Sequence, residues 1–73
     1  IMSPAYKSYL VKHKDIAFDL RSLKEEYRVA TGLGDIAEAR RLSKLIGEVQ
    51  KELHELEKTS PYEKNGNRKA HNV

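Results

Sequence analysis

The sequence predicts an all-α fold: an antiparallel two-helix hairpin spanning about 4–31 and 36–59, dimerising into a four-helix bundle and followed by a flexible C-terminal tail. Three observations carry this reading. Two segments each hold an unbroken seven-residue apolar repeat, the short junction Gly32-Leu33-Gly34-Asp35 separates them, and Ser60-Pro61 ends the second. A linker this short cannot carry the chain back along a helix of ~24 residues, about 35 Å at 1.5 Å each, so the second helix must run antiparallel to the first.

The first helix opens at Ser3-Pro4. Serine suits the N-cap, and proline at the first helical position lacks an amide that would have no partner there. With Tyr6 at heptad position a, the seam holds Tyr6, His13, Leu20 and Tyr27 at a, and Tyr9, Ile16, Leu23 and Ala30 at d. Every one except His13 is apolar or aromatic. Gly32 is the expected left-handed cap that ends the helix near Thr31, with Leu33 folding back as its apolar contact.

Asp35 and Glu38 have the spacing of a capping box, in which each side chain bonds the other residue's amide. Ala39, Leu42, Ile46, Val49, Leu53 and Leu56 follow at spacings of three and four. Pro61 stops the helix because it restricts the residue before it and has no amide to donate. Antiparallel pairing then stacks Ala30 on Ala39, Tyr27 on Leu42, Leu23 on Ile46, Leu20 on Val49, Ile16 on Leu53 and His13 on Leu56. The same register sets Lys12 against Glu52 and Glu26 against Glu38, while Tyr6 and Tyr9 overhang helix two, within reach of Tyr62.

Composition narrows the functional classes. A chain of 73 residues buries a small share of its surface, and the absence of cysteine removes disulfides and thiolate metal sites as stabilisers, so association is the expected remedy. The lack of cysteine, of a signal-peptide h-region and of an apolar run near ~18 residues predicts a cytoplasmic protein without a membrane span. Residues 1–59 are read as the hairpin. Residues 60–73, with Lys64-Asn65-Gly66-Asn67-Arg68-Lys69, are polar and basic, a composition that predicts disorder.

Leu10, Val11, Phe18 and Leu45 are the candidate association residues. Leu10 flanks the first seam and Ile36 and Leu45 the second, broadening the apolar stripes, while Val11 and Phe18 fall at position f, away from the hairpin partner. Scattered surface apolars are the competing explanation. Lys7, Lys14, Arg21 and Arg28 share position b, a basic stripe that with Arg68 and Lys69 suits phosphate contact; the competing explanation is a solvated helix face diluted by Asp15, Asp19, Glu25 and Glu26. His13 is the candidate pH-sensitive residue, since a charge in a partly apolar layer weakens packing; against that, a histidine near a helix end commonly keeps its tip in water.

No catalytic or metal-binding pattern emerges, and no cofactor is expected. His13, His54 and His71 form no helical i, i+4 pair, Gly32 and Gly34 have no strand before them or GKS after them, and Glu52, Glu55 and Glu57 are read as solubilising charges. The expected function is a non-enzymatic protein–protein interaction module: a self-associating hairpin, a homodimer and adaptor that binds or regulates a larger partner. The alternative is a small nucleic-acid-binding or transcription-associated protein using the basic stripe and the tail.

Residues 20–53 resemble the UVR-type helical hairpin found at the end of nucleotide-excision-repair proteins and in some protease adaptors. The resemblance lies in Asp35-Ile36-Ala37-Glu38-Ala39-Arg40-Arg41-Leu42, then Ile46 and Lys51-Glu52-Leu53. Arg40 interrupts that family's usual alanine pair, and Ser43 and Lys44 replace its arginine-aspartate. The resemblance implies head-to-head association of hairpins into a small bundle, without catalysis.

Overall fold

The computed structural model describes residues 3–60, which form two α-helices, α1 (Pro4–Leu33) and α2 (Ile36–Lys58), packed against each other as a hairpin. The expected tail with Arg68, Lys69 and His71, and the expected cover of Tyr6 and Tyr9 by Tyr62, lie outside the described residues. Neither helix is long and apolar enough to cross a membrane.

The start of α1 follows the local rules. The Ser3 hydroxyl accepts from the Tyr6 amide at 3.1 Å, the Lys7 amide donates to the Ser3 carbonyl, and Pro4 occupies the first helical position. The end of α1 corrects the expectation. Gly32 and Leu33 are still helical, and the left-handed residue is Gly34, at φ 74°. Leu33 does not fold back as a cap contact; it is 78% exposed.

The shift of the cap from Gly32 to Gly34 has a structural reason. With Gly34 left-handed, its own amide donates to the Thr31 carbonyl at 3.1 Å and the Asp35 amide donates to the Ala30 carbonyl at 2.9 Å, so two orphan carbonyls of α1 are satisfied. Asp35 then starts α2 directly, its side chain accepting from the Glu38 amide at 3.2 Å and its carbonyl from the Ala39 amide at 2.9 Å. One residue closes one helix and opens the next. A cap at Gly32 would separate these two roles and give up helical hydrogen bonds in between.

Only half of the expected capping box forms. The Asp35 amide already belongs to Ala30, so Glu38 has no backbone donor to reach back to and binds Arg41 instead. At the far end Thr59 caps α2, with its amide and hydroxyl both donating to the Leu56 carbonyl, and Ser60 is buried.

The core is densest beside the turn. Ala30, Ala39 and Leu42 are buried, Leu42 with 1% of its surface exposed, and Leu23 packs against the three. Two alanines let the helices approach where the short connection holds them together. Further along, His13, Ile16, Ala17, Leu20, Ile46, Val49, Leu53 and Leu56 are half-buried, as expected of one seam shared by two helices. Tyr27 keeps 38% of its surface exposed, more than the other residues of the seam.

The glycine assignment is directly testable. An added Cβ at Gly32 meets nothing within 4 Å in a helical backbone, so Gly32→Ala should stabilise the fold by about 0.5–1 kcal/mol. Gly34→Ala must hold alanine in the left-handed region and should cost about 1–2 kcal/mol. Urea denaturation of both variants checks the pair; effects of the opposite sign would return the cap to Gly32.

Candidate functional site

The side chains most available to a partner lie on the outer face of α1. Val11 and Phe18 are 60% and 59% exposed and Leu10 is also exposed, whereas Leu45 is half-buried on the flank of the α2 seam. Of the four expected association residues, therefore, three are open on α1. The Arg21 guanidinium lies 5.9 Å from the centre of the Phe18 ring, close enough for a cation–π contact.

Two further residues extend this face. Val29 and Leu33 are exposed on α1, and Val29 lies about five full helical turns beyond Val11, at the same angular position. Phe18 and Leu33 deviate from that line by about 20° and 40° at 3.6 residues per turn. An 18-residue separation matches whole turns of an α-helix and not whole heptads, so Val11 and Val29 align although they occupy different heptad positions. Ile36, the first residue of α2, is also exposed.

Charged residues flank the line of apolar side chains unequally. Lys7, Lys14, Arg21 and Arg28 lie on one side and Asp15, Asp19 and Glu26 on the other, while Glu25, seven residues after Phe18, lies beside the line itself; all are exposed. The basic row is partly occupied within its own helix. Arg28 grips Glu25 through two hydrogen bonds of 3.1 and 2.6 Å, which raises the arginine and lowers the carboxyl from their ordinary values. Lys7, Lys14, Asp15 and Asp19 form no ion pair among the described residues.

Between the helices, His13 Nε2 lies 2.9 Å from Glu57 Oε2, and the His13 ring sits 5.6 Å from that of Tyr9, which in turn stacks on Tyr6. An ionised carboxylate has only acceptors, so the imidazole nitrogen is the donor. A protonated ring would thus face a carboxylate as well as the apolar layer. Glu57 escaped the sequence reading because only the folded register brings it opposite His13. Glu55, by contrast, pairs with Lys58 at 3.7 Å on the surface of α2.

The expected Lys12–Glu52 pair does not form, and the expected clash of Glu26 with Glu38 is relieved by Arg41. Arg41 donates to both carboxylate oxygens of Glu38, at 2.8 and 2.5 Å. These bonds hold the Glu38 carboxyl below its ordinary value and raise Arg41, with Glu26 adding to the latter. Among the described residues, no group of three or more histidine, aspartate or glutamate side chains is arranged to hold a metal ion.

No family model, curated protein or solved structure matches this chain.

The Arg41 contact has a definite pH signature. Because Glu38 titrates lower in the folded chain, its contribution is present above the ordinary glutamate value of 4.5 and is lost as pH falls through the folded value. Arg41→Gln should lower the thermal midpoint at neutral pH, with the difference from wild type closing in acid. Melts followed by circular dichroism across that range check this; a difference independent of pH would assign the effect to packing.

Proposed function

We propose that this chain is a non-enzymatic interaction module: a self-associating helical hairpin that binds or regulates a larger partner. The observation that carries the reading is an imbalance of burial. The described residues contain a buried apolar core of Ala30, Ala39 and Leu42, while Val11, Phe18, Val29, Leu33 and Ile36 remain open. Small domains that bury little apolar surface are marginal alone, and association supplies the missing burial. Leu45, at the edge of the seam, adds to the surface that a partner would cover.

Sedimentation and light scattering over a micromolar concentration range test the proposal. The wild-type chain should associate, and Phe18→Asp should remain helical but shift to monomer. A stable folded monomer at these concentrations, with Phe18→Asp changing neither folding nor partner capture, would overturn it.

Lys7 and Lys14 favour a second reading, binding to nucleic acid, because both are exposed and outside any ion pair among the described residues. Arg28 is held by Glu25 and Arg21 lies over Phe18, which reduces the row available to phosphates. Charge reversal at Lys14 and Arg21 should lower both affinity for duplex or single strands and its salt slope. Undetectable binding at low salt dismisses this reading.

A further inference from the structure

We infer that the occupant of the outer α1 face is a second copy of this chain, docked parallel and in register about a two-fold axis running along the α1 helices. The inference rests on the self-association reading above and specifies its geometry. Val11, Phe18, Val29 and Leu33 are exposed along one face of α1, on the side away from α2. In a parallel pair each of these side chains meets its own counterpart, so the apolar positions match without any shift in register; Glu25 meets its counterpart as well, each carboxylate bound by Arg28 of its own helix.

Charge selects the orientation. In a parallel two-fold pair the left flank of one helix lies beside the right flank of the other, so the basic row of one copy meets the acidic row of its partner. Lys14 of one copy then faces Asp19 of the other and Arg21 faces Glu26, while the same offset sets Lys7 beside Lys12, so two favourable contacts stand against one unfavourable one, each occurring twice by symmetry. An antiparallel pair could set Val11 against Val29, but it lays like flanks together: Arg21 beside Arg21 and Lys14 beside Arg28. The open charges Lys14 and Asp19 have no partner within 4 Å among the described residues of their own chain. A second copy provides each with one of opposite sign.

The arrangement also bears on the shape of the assembly. Because α2 covers the opposite side of α1, the two α1 helices would lie at the centre with an α2 on each outer side. Four helices in one layer result, in place of a bundle closed around a central core.

The chain contains no cysteine, so single-cysteine variants of the full chain report the orientation without background. Val11→Cys should cross-link to itself with a short thiol-reactive linker, and a mixture of Val11→Cys with Val29→Cys should yield little mixed product. Lys14→Glu and Asp19→Lys should each weaken self-association about tenfold, since exposed pairs of modest strength become repulsions twice over. Mixing these two variants should restore association as a heterodimer, with helicity by circular dichroism confirming that each remains folded.

Preferential Val11–Val29 cross-linking, or tighter association of Lys14→Glu, would establish the antiparallel pair and overturn the inference. A dimer indifferent to both charge changes and lacking either cross-link would place association on another face, overturning this geometry while leaving the interaction module standing. A monomer at every concentration would overturn the geometry and self-association together.

Discussion

The bond from the Asp35 amide to the Ala30 carbonyl is the constraint on which the hairpin depends. It ties the last turn of α1 to the first residue of α2, and it requires Gly34 to adopt the left-handed conformation that lets the chain reverse at once. Asp35 then has its amide committed to one helix and its side chain and carbonyl to the other. With so little chain between the helices, Ala30 and Ala39 must lie close together, and alanine is small enough for that approach. Register along the hairpin follows from this end, and His13 and Glu57 meet at the other.

The same closure redistributes the polar groups. Glu38 loses its expected backbone partner because that amide is already bonded, and its carboxylate turns to Arg41. Arg41 is bonded to Glu38 and also feels the charge of Glu26 from the other helix. This is a surface contact, and its importance lies in relieving repulsion beside the tightest layer of the core. The interior itself is narrow: past Leu42 and Leu23 the seam residues are half-buried, as two helices can cover only one side of each other.

The outer face of α1 is the surface on which the proposed self-association rests. A hairpin with a wide interior could leave Phe18 and Val11 as incidental surface residues. Here they align with Val29 and Leu33, and the charged rows beside them differ in sign. A face with apolar side chains at its centre and opposite charges at its two edges is self-complementary in one orientation. That property follows from the spacing of residues on a single helix and requires no pocket, metal or catalytic group.

Both helices were legible in the amino-acid order because their determinants are local: the spacing of Tyr9, Ile16 and Leu23, the Ser3-Pro4 start, the Asp35 cap and the short junction. The exposure of Val11 and Phe18 was also legible from their heptad positions. Tertiary structure decided what depended on competition between groups distant in sequence or equivalent in local preference. Either glycine of the junction satisfies a cap rule, and Gly34 prevails because only there can Asp35 serve both helices. Glu57 reaches His13 because the hairpin closes in one register, and Arg41 lies near Glu26 because packing brings two helices together.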